Sequence, residues 1–340
     1  MEFSVKHTLG AYTVHCERGG LDRIGTLFAL DRRVLIVTDT GVPAEYAKKV
    51  MAACKEPHVI TVPMGEESKS IETMKMLCEK MLSLGFTRKD AVVAVGGGVV
   101  GDLSCFAASA YMRGIDFYNV PTTVLSAVDS SVGGKCGVNL SGVKNVVGAF
   151  YQPKGVLFDA EVLKTLPQRQ IAAGLAEAIK MAATFDASLF ATLEKKEITG
   201  ALCEALIFRA VQLKAKVVEA DEREGGLRKS LNFGHTFGHA IEAAGNMELC
   251  LHGECVALGM LPFCSDAVYE RLYAVLKKFG LPTALPVDAS LALPYLVHDK
   301  KWGKGGVDII FCEQIGNFDI RTVSKEELLS LLENTKNRYK

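Results

Sequence analysis

The sequence predicts an α/β amino-terminal domain over residues 1–160, built on a parallel Rossmann-like sheet, followed by a mainly α-helical domain over residues 161–340. Three observations predict this. Short apolar, β-rich runs alternate with helical patterns through the first half, as in a doubly wound sheet. After about Asp159 the pattern changes to long apolar-periodic segments. A chain of 340 residues also exceeds what one hydrophobic core usually organises.

In chain order, strands are expected at Val34–Thr38, Val59–Pro63 and Ala91–Val95, with helices at Ala44–Cys54 and Ile71–Leu84 between them. These strands are apolar almost throughout, as befits strands covered by helices on both faces. Ile115–Val120 and Val156–Phe158 read as further strands. Helical periodicity then marks Gln168–Thr184, Gly200–Ala220, Asn232–Ala244 and Gly253–Leu276. The Pro-rich stretch Leu281–Pro294 leads to Val307–Phe311 and Phe318–Arg321, a small hairpin, and to a last helix from Ser324.

Composition excludes several function classes. Lys+Arg and Asp+Glu balance at 39 each, so no overall field attracts nucleic acid or an anionic membrane. The longest apolar stretches, such as Ala91–Val100, fall short of the roughly 20 residues that span a bilayer. Ten cysteines without a CxxC pair, behind a charged amino terminus, MEFSVKHTLG, are expected to be reduced thiols in a cytoplasm.

Strand Ala91–Val95 runs into GGGVVGD, Gly96 to Asp102. Missing side chains there would let backbone N–H groups approach a pyrophosphate at a helix N-terminus. The usual acid about 20 positions later is absent, so this is not the ordinary Rossmann fingerprint. Asp39, ending the strand Val34–Thr38, offers a carboxylate to ribose hydroxyls. A tight turn with Asp39 as a helix cap is the competing reading. Glu66 and Lys69 belong to GEESK, a nucleotide-contact loop on weaker grounds.

Three of the seven histidines fall within LNFGHTFGHAIE and LHGE. If Asn232 onward is helical, Asn232, His235 and His239 share one face at i, i+3 and i+7. His252, in a short turn opening the next helix, could meet His235, with Glu177 as third ligand. Glu177 lies in a segment so apolar, AAGLAEAIK, that an unpaired inward carboxylate would be costly. Two His and one Glu with an open position is a catalytic zinc arrangement. The alternative pairs Glu177 with Lys180 across a helical turn and leaves the histidines as capping or core residues.

A Gly-, Ser- and Lys-rich stretch, PTTVLSAVDSSVGGKCGVN followed by GVKNVVGAF, suits phosphate, with Arg113, Lys135, Lys144 and Asn145 as donors. Ordinary surface lysines are the alternative. Lys214, Arg228 and the Lys300-Lys301 pair add cations enough for a second anionic group on the substrate.

Together, GGGVVGD, PTTVLSAVDSSVGGK, KNVVGAFYQP, GLAEAIK, LNFGHTFGHAIE and HGECVALGM resemble the 3-dehydroquinate synthase family, from about Asp39 to Asp299-Lys-Lys301. The resemblance implies a dehydroquinate synthase-like fold and a shikimate-pathway enzyme that converts 3-deoxy-D-arabino-heptulosonate 7-phosphate into 3-dehydroquinate and phosphate. Hydride transfer, phosphate elimination, hydride return and aldol closure would follow one another, with tightly bound NAD and a divalent metal, zinc or cobalt. By motif, the metal ligands would be Glu177, His235 and His252. NAD contacts would be Asp39, Glu66, Lys69, Gly97, Gly98, Asp102, Thr122, Thr123 and Leu125, with Lys144 and Asn145 near both ligands. Substrate would meet Asp129, Lys135, Lys180, Lys214, Arg228, Asn232, His239 and one of Lys300 or Lys301. Arg113 would reach a neighbouring subunit's site in a homodimer, and Cys136 stands where members usually have Thr. Cyclases making an inosose or a valiolone share this logic but act on substrates without a carboxylate, against which Lys214 and Arg228 argue. Polyol dehydrogenases and a non-catalytic NAD-binding protein are the remaining rivals. No nucleic-acid or membrane partner is expected.

Overall fold

The computed structural model describes residues 1–197, 199–245, 249–286, 292, 294–296 and 306–339. It divides into two compact units, Met1–Leu166 and Pro167–Lys340. The division falls beyond the expected 160/161 because Asp159 binds the following turn to the first unit. Its carboxylate accepts the N–H groups of Gly19 at 2.8 Å and Leu21 at 3.0 Å and caps the 3-10 turn Ala160–Thr165 through Glu161.

The first unit runs β1 (Glu2–His7), β2 (Gly10–Cys16), α1 (Ile24–Leu27), β3 (Arg33–Asp39), α2 (Ala44–Ala52), β4 (Glu56–Val62), α3 (Ile71–Ser83), β5 (Ala91–Gly96), α4 (Gly98–Ala110), β6 (Asp116–Pro121), β7 (Lys135–Leu140), β8 (Val143–Phe150) and β9 (Gly155–Phe158). Seven strands form one sheet in the order β1-β2-β9-β6-β5-β3-β4. All neighbours are parallel except the β1–β2 hairpin. Val34–Val37 of β3 and all of β5 are buried, which explains their continuous apolar sequences. From β3 the chain goes outward to β4 and then crosses back to β5 on the other side. The carboxyl ends of β3 and β5 therefore flank a topological switch point, where open parallel sheets bind ligands.

Two hairpins were not anticipated. β1–β2 lies at the sheet edge, and its mixed polar pattern gives weak strand signal. β7–β8 pairs separately from the main sheet and occupies the Gly- and Lys-rich stretch, where exposed β8 lacks an alternating apolar face.

The second unit contains α5 (Gln168–Phe185), α6 (Ala187–Lys195), α7 (Gly200–Ala220), α8 (His235–Ala244), α9 (His252–Met260), α10 (Asp266–Lys278), the antiparallel hairpin β10 (Val307–Gln314) and β11 (Asn317–Val323), and α11 (Lys325–Thr335). Ser324 caps α11 in a capping box with Glu327. Two helix expectations need correction. Gly253–Leu276 is not one helix: Pro262 sits in a 3-10 turn, Leu261–Phe263, and Ser265 caps α10 afresh through Val268 N–H. Asn232 is not on α8: it ends the 3-10 turn Leu227–Asn232, and Gly234, at φ 79°, breaks the chain before His235. A left-handed residue there is tolerated because it lacks Cβ. No helix among the described residues is long and apolar enough to cross a membrane.

Candidate functional site

In the first unit, the residues expected to hold a nucleotide gather at the carboxyl ends of β3, β5 and β6. Asp39 closes β3 and accepts Gly41 N–H at 2.8 Å, forming a turn rather than a helix cap. Gly97 and Gly98 open α4, whose N-terminus receives no side-chain cap bond. Its first N–H groups are thereby left for another acceptor, the arrangement an anion exploits. Thr122 follows β6, paired to Gly96 through its N–H at 2.9 Å. Thr123 Oγ1 accepts Ser126 N–H at 3.1 Å, and Leu125 leads into the π-helical turn Ser126–Ser130 that carries Asp129.

Two long-range polar links were not legible in the sequence. Lys69 Nζ meets Asp102 Oδ2 at 2.5 Å with both side chains largely buried, and burial nevertheless holds the Asp102 carboxyl above its usual range, Lys69 opposing the shift. Asn139 of β7 donates to Glu66 Oε1 at 2.9 Å, pairs its N–H with Lys69 O at 2.8 Å, and accepts Asn145 N–H at 2.9 Å. Asn139 thus fastens the Glu66 loop to the hairpin that bears Lys135, Lys144 and Asn145, the last at φ 54°. Arg113, at φ 67°, lies beyond α4.

In the second unit, α5, α8 and α9 bring Glu177, His235 and His252 together. Glu177 Oε1 lies 3.6 Å from His235 Nε2 and 3.7 Å from His252 Nε2. Ligand atoms about 2.1 Å from a tetrahedral zinc stand ~3.4 Å apart, so this spacing fits one ion. Glu177 Oε1 is buried and has no hydrogen-bond partner, a costly state that a cation would relieve. Its other oxygen pairs with Lys180, whose amine also donates to Leu231 O at 2.6 Å. The helical-turn salt bridge and the histidine cluster are therefore both present.

His239 joins the group: ligand atoms of His235, His239 and His252 lie within 4.8 Å of one another. The orphaned oxygen, 3.6 and 3.7 Å from the two imidazole nitrogens, favours Glu177 as the third donor. His235 is held well below the usual imidazole range by burial and by Lys180, which keeps it neutral with a lone pair to offer. Its Nδ1 lies 3.2 Å from Phe233 O, directing Nε2 toward Glu177.

The close approach of α9 to α5 has a local cause. A Cβ on Gly253 would stand 2.6 Å from the carbonyl carbon of Ala173 and closer still to its oxygen. Glu254 accepts Leu251 N–H at 2.8 Å and a bidentate pair from Arg169 of α5, at 2.7 and 2.8 Å. The start of the helix bearing His252 is thus tied to the helix bearing Glu177. Neither Arg169 nor Glu242, which lies 3.1 Å from His252 Nδ1, was expected at the site. Glu242 was detectable in principle, because His235, His239 and Glu242 share a helical face at i, i+4 and i+7.

Lys214 on α7 and Arg228 are buried, and Arg228 donates to Glu222 O at 2.6 Å. Asn232 donates to Glu224 Oε1 at 3.3 Å. Lys300 and Lys301 lie outside the described residues.

A parallel-sheet α/β unit with a glycine-rich turn at its switch point, and a helical unit with a His/Glu cluster, are features of the sugar phosphate cyclase superfamily, to which the family matches assign the chain. Models of the 3-dehydroquinate synthase N-terminal and C-terminal families match residues 59–173 and 174–302. The chain belongs to the 3-dehydroquinate synthase family. It is 40% identical to the 3-dehydroquinate synthase of Campylobacter concisus (strain 13826), over 99% of both chains. A 2-deoxy-scyllo-inosose synthase solved with carbaglucose-6-phosphate, NAD+ and Co2+ has a TM-score of 0.88 at 27% identity, covering 98% of this chain and 100% of that one. A 2-epi-5-epi-valiolone synthase from Streptomyces hygroscopicus subsp. jinggangensis, with NAD+ and Zn2+ bound, gives 0.85 at 28% identity over 99% of each chain.

Proposed function

We infer that this chain converts 3-deoxy-D-arabino-heptulosonate 7-phosphate into 3-dehydroquinate and phosphate, as a lyase of the shikimate pathway. The observation that carries the reading is the orphaned Glu177 Oε1 facing two imidazole nitrogens, in a chain 40% identical to a 3-dehydroquinate synthase over nearly its whole length.

When bound, NAD supplies a hydride acceptor that is regenerated in each turnover, and zinc or cobalt supplies Lewis-acid polarisation of the substrate hydroxyls. Glu177, His235 and His252 would hold the metal. Lys180 fixes the Glu177 carboxylate through one oxygen and leaves the other as a one-point donor. Asp39, Glu66, Lys69, Gly97, Gly98, Asp102, Thr122, Thr123 and Leu125 would bind NAD. In that set the bare α4 N-terminus takes the pyrophosphate, and Lys69 keeps Asp102 oriented.

Lys135, Lys144, Asn145 and His239 would hold the substrate phosphate, positioning it to leave by β-elimination. Lys214 and Arg228, both buried, would pair with the substrate carboxylate. Asp129 and Asn232 would orient its hydroxyls. We further propose a homodimer in which Arg113 serves the neighbouring subunit, working in the cytoplasm, where all ten cysteines stay as the free thiols observed.

The test is phosphate release from the heptulosonate phosphate, with and without NAD, after chelation and after zinc or cobalt is restored. Release that needs both, with 3-dehydroquinate accumulating and no net NADH, is the expected result. Turnover of glucose 6-phosphate or sedoheptulose 7-phosphate instead would overturn the roles of Lys214 and Arg228. Glu177→Ala is expected to abolish metal-dependent turnover, and near-normal activity in it would remove Glu177 from the metal site.

A further inference from the structure

We propose that Glu242 is a positioning residue for the metal: it holds His252 in the tautomer and orientation that present Nε2 to the ion, and adds a second negative charge to that of Glu177. The proposal rests on His252 being a metal ligand.

The geometry comes first. Glu242 lies on α8, one helical turn beyond His239, and its Oε2 stands 3.1 Å from His252 Nδ1 on α9. An ionised carboxylate only accepts, so Nδ1 carries the proton and donates. Nε2, on the opposite side of the ring, is then left with its lone pair, and it is the atom 3.7 Å from the orphaned Glu177 oxygen. His235 is arranged the same way with a weaker partner, its Nδ1 facing the Phe233 carbonyl at 3.2 Å. Both imidazoles thus have Nδ1 engaged by an acceptor, but only His252 is backed by a carboxylate. That backing makes its Nε2 the stronger donor of the two.

Charge balance points the same way. Among the donors, Glu177 contributes one negative charge, but Lys180 pairs with its second oxygen at a site where both side chains are almost wholly buried. A divalent ion beside this pair therefore gains little net countercharge from Glu177. Glu242, with its side chain 14% exposed, adds a carboxylate within one imidazole of the ion. A half-buried carboxylate at this place is costly unless a cation lies nearby, and the ion provides one.

The experiment measures zinc affinity by competition with a chromogenic chelator, and the visible d–d absorption of the cobalt-loaded protein, for wild type, Glu242→Ala, Glu242→Gln and His252→Ala. Thermal melts of the metal-free proteins report on the fold. Glu242→Ala is expected to bind zinc about 10–100-fold more weakly, with an altered cobalt spectrum and a metal-free melt close to wild type. Glu242→Gln keeps an acceptor oxygen but not the charge, so it is expected to fall between the two and carries the test if the alanine variant does not fold. Wild-type zinc affinity and an unchanged cobalt spectrum in a folded Glu242 variant would overturn the proposal while leaving the ligand assignment intact. Wild-type zinc affinity in His252→Ala would instead show that the ligand assignment itself is wrong.

Discussion

Replacing Gly253 with alanine should separate the metal site's geometry from its chemistry. The new Cβ would lie 2.6 Å from the Ala173 carbonyl carbon and nearer to its oxygen, whereas ordinary contacts begin at 3.4 Å. The obstacle is the backbone of α5, which has no flexible end to swing aside. The start of α9 must therefore retreat from α5 by at least 0.8 Å, the difference between those two distances. His252 is the preceding residue on α9 and Glu177 is carried by α5, so the retreat acts directly on their 3.7 Å separation. Metal–ligand distances tolerate only about 0.2 Å, and a misplacement near 1 Å can cost on the order of 100-fold in activity. Overpacking of this kind destabilises by ~1–3 kcal/mol, so the variant should fold yet bind metal poorly. Zinc competition should show at least a tenfold weakening, on the order seen when a site's supporting shell is disturbed, with a metal-free melt lowered by several degrees. Gly200, at the first position of α7, is the matched control because a Cβ there meets nothing within 4 Å. Gly200→Ala should leave zinc affinity unchanged. Wild-type zinc affinity in Gly253→Ala would refute the claim that this helix contact sets the site.

Two other perturbations probe the units separately. Lys69→Met removes the cation paired with buried Asp102 and should destabilise the first unit on the order of 3 kcal/mol near neutral pH, while weakening NAD binding in a fluorescence titration. Burial already raises the folded Asp102 carboxyl above its usual range, so the native state binds its proton more tightly than the unfolded chain does. The cost of the missing lysine should therefore grow as pH rises through that raised value and shrink toward pH 4, and a denaturant midpoint difference independent of pH would contradict this. Asp186 behaves oppositely. Burial pushes it up, but hydrogen bonds from Ser188, Leu189 N–H and Arg209 outweigh this and hold it at about 2. The ~2 kcal/mol this represents is fully present above the unfolded value near pH 4 and is lost as pH falls toward 2. Asp186→Asn should flatten that part of the acid-unfolding curve, and an unchanged acid profile would count against the network.

The strand–helix alternation of the first half was legible because the central strands declare their burial through an unbroken apolar run, as in Val34–Val37 and Ala91–Val95, whereas β4, expected to be covered on both faces, is a partly exposed edge strand. Edge and detached hairpins carry no such run, and β1–β2 and β7–β8 were missed accordingly. The helix Gly253–Leu276 was drawn too long because apolar periodicity continues across Pro262 while the backbone does not. Asn232 was placed on the helical face of His235 by the same counting, and one left-handed glycine, Gly234, removed it.

The sequence by itself determined which chemical groups are available and where local spacing sets them. It supplied the glycine turn after a buried strand, the histidines one turn apart at 235 and 239, and a carboxylate embedded in an apolar helix. Such features depend on periods of a few residues, which backbone geometry makes nearly independent of context. Only the tertiary structure decided which groups face one another. The convergence of Glu177 with His235 and His252, the link from Glu242 to His252, and the pairing of Lys69 with Asp102 each join residues on different elements. Those pairings follow from how closely helices pack, set here by a missing Cβ at Gly253 and a bidentate Arg169–Glu254 tie, and packing is a property of the folded chain rather than of any one segment.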